Sequence, residues 1–361
     1  MEKIDFVIIW VDGSDADWQA EKARYIPDKL KEDASLHRYR DWDNLQYWFR
    51  GVEKYAPWVN KIHFVTWGHL PKWLNVNHPK LNIVKHSDYI PEEYLPTFNS
   101  HTIELNLHRI EGLSENFVYF NDDTFIIDKV KSADFFKNGL PCDTAVLNPH
   151  CYSPLFQFHF TTFRNIGVIN KYFNIKEVLK KNFKKWFNPK YGKKALQTVV
   201  LASCPRFPGM WMNHMPNSYK KSTFEEVWSL EEEELVSTCK NKFRNMLDYS
   251  QWLFKEWQIA KGEFCPRSPK TGMNFELVVS HTAEEIHDFI LKQKRKMICI
   301  NDYEMDNEEF EKAKAVINSA FEKILPDKSE FAHDIILVSM PARFSRSTND
   351  NTAVQMPLPR M

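Results

Sequence analysis

Acidic and amide side chains follow three apolar stretches of the sequence, and these groups are candidates for chemistry. The stretch FVYF (117–120) runs directly into Asn121, Asp122 and Asp123. Two adjacent carboxylates at the end of a buried strand are costly unless a basic side chain or a metal ion neutralises them. Two other apolar stretches end in a similar way: Asp12 and Asp15 follow IIWV (8–11), and Asn301 and Asp302 follow MICI (297–300).

Oxygen ligands of this kind suit Mg²⁺ or Mn²⁺ bound together with substrate phosphates. The alternative explanation is that Asp and Asn follow strands because they form turns readily. At any one strand end the two explanations are equally good, whereas the direct adjacency of Asp122 and Asp123 favours a ligand site. Glycine is scarce, with 10 residues, and neither Gly-rich phosphate-binding pattern occurs. Phosphate would therefore be held by side chains, a metal or helix termini.

The elements that must position these groups alternate between strand and helix. Apolar runs predict strands over 4–10, 62–67, 81–84 and 117–120. A helix is predicted from about Leu45 to Ala56, stopped by Pro57, and another from Ser100, as its N-cap, through Arg109 to an end at Gly112. This alternation predicts an α/β fold with a mostly parallel sheet and helices on both faces. The carboxyl ends of parallel strands then share one edge, where such sheets bind ligands.

The second half of the chain has a different character. Residues 180–194 (KKNFKKWFNPKYGKK) are basic and interleaved with aromatics. Such a stretch is a surface for an anionic polymer or membrane headgroups, or a solvated helix face with anchoring aromatics, and we favour the latter. Residues 204–217 read as a structured loop that positions His214, and 308–325 as an amphipathic helix. The tail from 341 is rich in Ser, Asn, Thr and Pro, which is typical of poor order.

Composition excludes several classes of protein. The chain has 48 basic and 48 acidic residues among 361, so no excess of positive charge indicates a nucleic-acid partner. The six cysteines are scattered without a C-x-x-C pair, which indicates a reducing cytosol rather than a disulfide scaffold or zinc site. The N-terminal apolar run is too short for a signal peptide or a membrane span. We therefore expect a cytoplasmic protein.

Four blocks of the sequence resemble the conserved regions of the Stealth family of sugar-phosphate transferases. These blocks are IDFVIIWVDGSD (4–15), a long second block from RYRDWDN (38–44) through KYAPWV (54–59), LPTF (95–98) and HRIEGL (108–113) to NDD (121–123), a third with NHMP (213–216), Arg244 and Asp248, and MICINDYE (297–304). The second block is the most specific and the third the loosest. Bacterial capsular polysaccharide phosphotransferases belong to this family.

The resemblance implies transfer of a sugar together with its phosphate. A UDP-N-acetylhexosamine would donate hexosamine-1-phosphate to a hydroxyl of a polysaccharide or oligosaccharide acceptor, with release of UMP. It implies a GT-A-like core at 1–150, a mainly helical insertion with acceptor-site elements at 151–290, a return to the core at 291–330 and a tail at 331–361. Contact with a capsule-assembly machinery or the inner face of the bacterial plasma membrane is a further expectation.

The resemblance also implies roles for individual residues. A Mg²⁺ or Mn²⁺ ion would be held by Asp122, Asp123 and Asp302, or by Asn301 in place of Asp302. Catalysis would use His214, Arg244 and Asp123, with His214 as a base for the acceptor proton. Arg40, Arg109 and Arg244 would neutralise phosphate oxygens. The substrate-binding residues would be Asp12, Gly13, Asp15, Arg40, Asn44, Glu104, His108, Arg109 and Asp248. On a helix, Glu104 and His108 share a face, and they either bind sugar or pair with each other.

Two other functions are compatible with the same residues. A metal-dependent glycosyltransferase would share the fold and the acidic strand end, but it would release UDP instead of UMP. A carbohydrate-binding protein without catalysis would use the aromatic residues, which make up 14% of the chain. We rank the phosphotransferase first and the binding protein last.

Overall fold

The computed structural model describes residues 2–26, 41–151, 158–277, 281–301 and 305–333. Arg40, Asp302 and the predicted C-terminal tail lie outside these ranges. The strands in the described residues are β1 (Ile4–Ile9), β2 (Ile62–Thr66), β3 (Leu81–Lys85), β4 (Asn116–Phe120), β5 (Thr124–Ile126), β6 (Phe136–Lys137), β7 (Leu140–Asp143), β8 (Asn217–Lys220), β9 (Cys265–Pro266), β10 (Gly272–Glu276) and β11 (Met297–Asn301).

Helices separate most of these strands. They are α1 (Ala16–Tyr25), α2 (Leu45–Tyr55), α3 (His86–Tyr89), α4 (Ser100–Leu105), α5 (Ser132–Phe135), α6 (Phe158–Tyr172), α7 (Ile175–Lys181), α8 (Phe183–Trp186), α9 (Ala195–Leu201), α10 (Lys221–Leu230), α11 (Glu232–Cys239), α12 (Trp252–Lys261), α13 (Ala283–Leu291) and α14 (Asn307–Ile324). Short 3₁₀ turns occur at Glu92–Tyr94, Leu107–Arg109, Pro189–Lys194 and Pro269–Thr271. None of the described helices is long and apolar enough to cross a membrane.

The main sheet has five strands in the order β3-β2-β1-β4-β8. Strands β1 to β4 are parallel, and β8 runs antiparallel to β4. In β1 side chains alternate between two cores, since Phe6 and Ile8 join one hydrophobic cluster and Val7 the other. A strand buried on both faces reads as an unbroken apolar run, which explains why its sequence shows no polar alternation. The predicted α/β class is confirmed.

A second sheet of three strands, β10-β11-β5, continues from the first. Strand β5 begins at Thr124, directly after the turn that ends β4, and β11 pairs antiparallel with it. The C-terminal end of β11 therefore returns to the start of β5, with Cys299 opposite Thr124. A smaller sheet, β6-β7-β9, completes the strand pairing.

Helices cover both faces of the main sheet. On one side α2, α13 and α14 pack through residues such as Tyr47 and Phe321, whose rings stack with centroids 5.5 Å apart. Helix α2 lies so close to β5 that a Cβ on Gly51 would be 2.6 Å from the Ile126 carbonyl oxygen. On the other side lie helices from the second half of the chain, including α6, α10 and α12.

The predicted helix ends agree with the structure in part. Helix α2 ends at Tyr55, and α14 buries Phe310, Ile317 and Phe321 along one side, as its spacing predicts. The helix predicted from Ser100 to Arg109 is wrong in its limits. It ends at Leu105, and its N-cap is Asn99, whose side chain accepts from the His101 amide. Asn is as good an N-cap as Ser, and in the structure Asn99 caps the helix instead of Ser100.

Residues 151–290, where a mainly helical insertion was predicted, contribute helices α6 to α12 and most of the apolar cover on one face of the sheet. The same segment also supplies β8, which pairs with β4 at the edge of the main sheet. The division of the chain into domains stays a prediction.

Candidate functional site

Three segments that are distant in sequence meet at the carboxyl end of β4. The turn Asn121–Asp123 follows β4 directly. Strand β8 is antiparallel to β4, with Asn217 opposite Tyr119, so the residues before it, including His214, lie beside that turn. Strand β11 arrives from the second sheet and brings Cys299 and Asn301. The ends of β4 and β11 therefore meet, although β11 belongs to a different sheet.

The centre of this site is formed by Asp123, His214 and Cys299. Their ligand atoms all lie within 4.8 Å of one another. Asp123 Oδ2 is 3.8 Å from His214 Nε2 and accepts a hydrogen bond from Cys299 Sγ at 3.3 Å. Asp123 and His214 remain 24% and 31% exposed, so a ligand from solvent can reach both. The three groups combine a carboxylate, an imidazole and a thiol at one point.

The side chain of Asn121 holds the imidazole ring of His214 against the turn. The Asn121 amide group is hydrogen-bonded to His214 Nε2, and the direction of this bond depends on the tautomer of the ring. The backbone holds Asn121 in place, because its carbonyl oxygen accepts from Thr124 Oγ1 at 2.7 Å. The contact therefore fixes the orientation of the imidazole ring beside Asp123.

Two oxygens of the turn fit a cation. Asp123 Oδ1 and Asn121 Oδ1 are both buried, and neither has a hydrogen-bond partner among the described residues. A buried carboxylate oxygen without a donor is costly, and a divalent ion would remove that cost. Asp122, the adjacent carboxylate, is exposed. The donor atoms available at this turn are therefore compatible with a divalent metal, and the prediction of a metal here is supported to that extent.

Cys299 is a protonated donor at this site. Burial, and then the negative charges of Asp123 and Asp122, hold the pKa of its thiol well above the ordinary value. Its neighbour on the same side of the strand, Asn301, donates to Asn274 Oδ1 of β10 at 2.9 Å. The contact between Asn301 and Asn274 fixes the amide next to the turn. Asp302, the third predicted metal ligand, falls outside the described residues.

A second group lies at the carboxyl end of β1. The Asp12 amide donates to His69 Nε2 at 2.7 Å, and Asp15 Oδ2 is 3.8 Å from His69 Nδ1. Burial lowers the pKa of His69, although the Asp15 and Asp12 charges oppose this. Asp15 also caps α1 by accepting from the Trp18 amide at 2.8 Å, and the Gly13 carbonyl accepts from Gln19. Asp15 therefore has a clear structural role in addition to any contact with substrate.

The third group joins α4 to the loop before α12. Asp248 is fully buried and accepts from Asn99 Nδ2 at 2.8 Å, from Asn241 Nδ2 at 2.7 Å and from the Asn245 amide at 2.8 Å. Arg244, in the same loop, is exposed and donates to Ser100 Oγ. The Asp248 carboxylate is therefore buried and hydrogen-bonded within the protein, whereas the Arg244 guanidinium is open to solvent.

The predicted pair of Glu104 and His108 is turned into the core. Glu104 accepts from Tyr119 Oη at 3.0 Å. His108 is buried against the rings of Phe224 and Trp228, and burial, with the Arg109 charge, lowers its pKa to about 3. These contacts are with the chain, and they favour packing roles over sugar binding for both residues.

The remaining predicted substrate residues lie apart from this core. Arg109 is exposed, with its guanidinium 4.9 Å from the Trp228 ring centre. The backbone carbonyl of Asn44 accepts from the Tyr47 amide at the start of α2, whereas the Asn44 side chain makes no capping hydrogen bond. Arg40 is outside the described residues. The structure therefore gathers Asp123 and His214 into one centre and distributes the other candidates around it.

The sequence interpretation missed Cys299, His69 and the role of Asn121. The sequence placed Cys299 only among the six scattered cysteines. On β11 it lies two residues before Asn301, so the two side chains are on the same side of the strand. Because period-2 alternation can be read from sequence, that signal was available. No comparable signal marks His69, which reaches Asp12 from the neighbouring strand end.

The acid, imidazole and amide groups lie at the carboxyl edge of an α/β sheet, which is where such folds bind their ligands. Residues 2–29 match Stealth protein CR1, conserved region 1, and residues 38–142 match Stealth protein CR2, conserved region 2. A capsular polysaccharide phosphotransferase WcwK of Streptococcus pneumoniae is 46% identical over 338 residues, which cover 92% of this chain and 98% of that protein. The exopolysaccharide phosphotransferase cps2G of Lactiplantibacillus plantarum is 40% identical, covering 91% of this chain and 96% of that protein.

The chain belongs to the Stealth family, and it is an enzyme of the transferase class. The receptor polysaccharide phosphotransferase WefC of Streptococcus oralis is a further relative, 39% identical over 92% of this chain and 99% of its own length. Among solved structures, the galactosyltransferase LgtC in complex with donor and acceptor sugar analogs covers 87% of this chain and 95% of its own, with 10% identity and a TM-score of 0.38. A likeness of that degree carries no argument about function.

Proposed function

We propose that this enzyme transfers a hexosamine-1-phosphate from a UDP-N-acetylhexosamine to a hydroxyl group of a glycan acceptor, in the synthesis of a capsular or other cell-surface polysaccharide. The observation that carries the proposal is the position of the His214 imidazole, which is held by Asn121 and directed at the turn that carries Asp123. Relatives that align over nine-tenths of the chain are named polysaccharide phosphotransferases, which supports phosphoryl transfer as the reaction type.

In this reaction one O–P bond forms and one breaks. The acceptor oxygen attacks the phosphorus next to the sugar, and the bond from that phosphorus to the bridging oxygen of the diphosphate breaks. UMP leaves with the electron pair, and the imidazole of His214 takes the proton from the acceptor hydroxyl. Asn121 holds the ring in position for this transfer.

Charge neutralisation is the main requirement of phosphoryl transfer. Asp123 and the Asn121 oxygen, with Asp122 and Asp302 as further candidates, would hold Mg²⁺ or Mn²⁺. Such an ion would neutralise the oxygens of the diphosphate. Arg244 is proposed to assist, because its guanidinium is exposed and held by Ser100. Its planar fork matches a phosphate oxygen pair.

The donor nucleotide is proposed to lie at the end of β1, near Asp12, Gly13 and Asp15, with Asn44 and Arg40 as further contacts. The Asp12 amide is held by His69, which keeps this loop close to the sheet edge. Arg109 is proposed to contact phosphate or acceptor from the other side. We place the enzyme in the cytoplasm, at the inner face of the plasma membrane, where the growing glycan is assembled.

The decisive experiment follows phosphorus and the released nucleotide together. The protein is incubated with Mg²⁺ or Mn²⁺, a panel of UDP-sugars and short glycan acceptors, and products are observed by ³¹P NMR and nucleotide chromatography. We expect a new phosphodiester resonance and UMP. Release of UDP without a phosphodiester would instead identify a glycosyltransferase and overturn the proposal.

A pair of variants tests the role of His214. His214→Gln removes the base but keeps a polar side chain, and we expect turnover to fall by roughly 10²- to 10⁴-fold, the range that general-base catalysis supplies. The matched control is His333→Gln, at an exposed position far along the chain. Turnover of His214→Gln within threefold of the original enzyme would exclude His214 as the base.

A further inference from the structure

One surface of the molecule is apolar without being covered. The four most exposed large hydrophobic side chains among the described residues all fall between positions 183 and 200. They are Val200 at 73%, Leu196 at 65%, Phe183 at 59% and Val199 at 57% exposed. Leu196, Val199 and Val200 have i, i+3 and i+4 spacing on α9, so they form one face of that helix. We call these three side chains the α9 face.

The orientation of α9 is fixed by its opposite side. Thr198 is fully buried, and its Oγ1 accepts from the Leu147 amide at 3.1 Å. The helix therefore cannot rotate its apolar face inward without losing a buried hydrogen bond. Leaving three aliphatic side chains in water on a fixed helix indicates that something apolar covers them in function.

The stretch of sequence that contains α9 carries only positive charge. Residues 178–224 contain no Asp or Glu, whereas residues 178–206 contain eight cations: Lys180, Lys181, Lys184, Lys185, Lys190, Lys193, Lys194 and Arg206. Six of the eight are exposed, the exceptions being Lys185 and Lys194. Within the described part of the chain, none of them forms an ion pair. The whole protein has equal numbers of acidic and basic residues, so this is a strong local asymmetry.

We propose that the α9 face and its lysines dock on an anionic lipid bilayer. Aliphatic side chains enter the boundary between headgroups and acyl chains, while the neighbouring lysines are attracted to negative headgroups. A symmetric contact with the same surface of a second copy of this chain is a poorer match, because the basic segments would then face each other without acidic groups to pair with. The lipid surface satisfies both the apolar and the electrostatic requirement.

The α9 face is connected to the segment that carries His214 by a short path in the chain. The residue that anchors α9, Leu147, also forms a β-bridge with Met210, and the Val146 carbonyl accepts from the Trp211 amide. His214 follows Trp211 by three residues.

Vesicle co-sedimentation of the full chain tests the proposal without any substrate, so its result is independent of the transfer chemistry. We expect binding to phosphatidylcholine vesicles with roughly one third phosphatidylglycerol, weak binding to pure phosphatidylcholine, and loss of binding at high salt. The double variant Leu196→Ser with Val200→Ser should lower the partition coefficient at least about tenfold. The double variant Lys181→Glu with Lys193→Glu should do the same on anionic vesicles only.

Matched controls use other exposed positions. Leu230→Ser, at a 45% exposed site on α10, and Lys240→Glu should bind as the original protein does. All the substituted residues are exposed, and circular dichroism should confirm that the variants fold. Equal binding to neutral and anionic vesicles, or full binding by the Leu196 and Val200 double variant, would overturn the proposal. Dimerisation without lipid that the same variant abolishes would assign the α9 face to a second copy and would equally overturn it.

Discussion

Burial separates the histidines of this chain into groups with different chemical capacity. His214 is 31% exposed at the end of β4, where it meets Asp123. His86 and His108 are buried, and burial lowers the pKa of each to about 3. A histidine that stays neutral down to pH 3 cannot exchange protons near neutral pH. His108 lies within the sequence motif, yet its surroundings do not allow it to serve as an acid or base.

The first prediction concerns His108→Phe. Because the folded-state pKa lies below the unfolded value of about 6.5, the unfolded state takes up a proton first as pH falls. His108 therefore reduces stability progressively between pH 6.5 and 3, by about 2 kcal/mol at pH 5. Phenylalanine fits between Phe224 and Trp228 and removes this proton uptake. Unfolding in urea at pH 8 and pH 5 should show a smaller loss of stability in the variant.

Activity separates the two roles proposed for His108. If it only packs, turnover of His108→Phe should stay within about twofold of the original enzyme. A large loss of turnover with unchanged stability would indicate contact with substrate instead. His333→Phe, at an exposed site, serves as the control and should leave the pH dependence of unfolding unaltered.

At the scale of elements, a buried carboxylate ties strands together at the end opposite the site. Asp5 of β1 accepts from Asn60 at 2.6 Å and from the Ser114 amide at 2.8 Å, and it contacts His63 of β2 at 3.2 Å. Burial raises the pKa of Asp5, but these hydrogen bonds together hold it below its ordinary value. The network joins β1, β2 and the segment leading into β4.

We expect Asp5→Asn to lower the free energy of unfolding by about 2 kcal/mol at pH 7. The contribution of a carboxylate with a depressed pKa is present above the unfolded value of about 3.9 and is lost as pH falls through the folded value. The difference from the original protein should therefore shrink below about pH 4. Denaturant unfolding across pH measures this, and Asp327→Asn, an exposed position, is the control. A constant difference at all pH values would contradict the assignment.

The loop before α12 gives a second prediction at this scale. In the original protein, N–H donors point at both oxygens of the Asp248 carboxylate. Asp248→Asn replaces one oxygen by an NH₂ group that faces these donors, so we expect a loss of roughly 2–3 kcal/mol in stability. Turnover should fall as well, because the loop positions Arg244 against Ser100. Thermal melting and kinetics of both Asp248→Asn and Arg244→Gln check this.

Comparing the two variants identifies which residue meets substrate. Arg244 is exposed, so Arg244→Gln should lower turnover with little change in melting temperature. Asp248→Asn should lower both quantities. A variant of Asp248 that loses activity while melting normally would show that Asp248 contacts substrate directly, contrary to its buried position.

Which elements could be predicted from sequence depends on how local their causes are. Strand β1 and helix α14 were predictable because an unbroken apolar run and a 3.6-residue period are local patterns. The start of α4 was not, because two residues that both cap well, Asn99 and Ser100, stand side by side. The pairing of β11 with β5 was also beyond reach, since it joins residues far apart in sequence.

At the scale of the whole molecule, the site was predictable where it follows strand ends and unpredictable where partners come from other elements. Asp123 could be placed at a ligand edge because β4 is a recognisable strand. His214 was placed by resemblance alone, and the reason for its position is the antiparallel pairing of β8 with β4. The side of β11 that Cys299 shares with Asn301 could be read from the sequence, but the pairing that brings β11 to this turn could not, since it joins residues far apart in the chain. The position of the centre therefore depends on long-range strand pairing as well as on the local sequence motifs.

Because that centre joins three distant parts of the chain, a divalent ion bound there should stabilise the whole fold. A ligand that binds only the folded state adds about 2.7 kcal/mol at a hundred times its dissociation constant, so the melting temperature should rise with Mn²⁺ or Mg²⁺ concentration. Asp123→Asn should abolish this rise, because it removes a carboxylate whose Oδ1 has no other partner. Differential scanning calorimetry of the full chain measures both.

The control is Asp5→Asn, which makes the same chemical change at the opposite end of the strands. Asp5→Asn should melt at a lower temperature, yet its melting temperature should rise with the ion by the same amount as in the original protein. If Asp123→Asn retained the full rise, the ion would bind elsewhere and the turn after β4 would hold no metal. If neither protein responded to the ion, the unpartnered oxygens of Asp123 and Asn121 would have to be satisfied by substrate itself, and the reaction would depend on Arg244 for charge neutralisation.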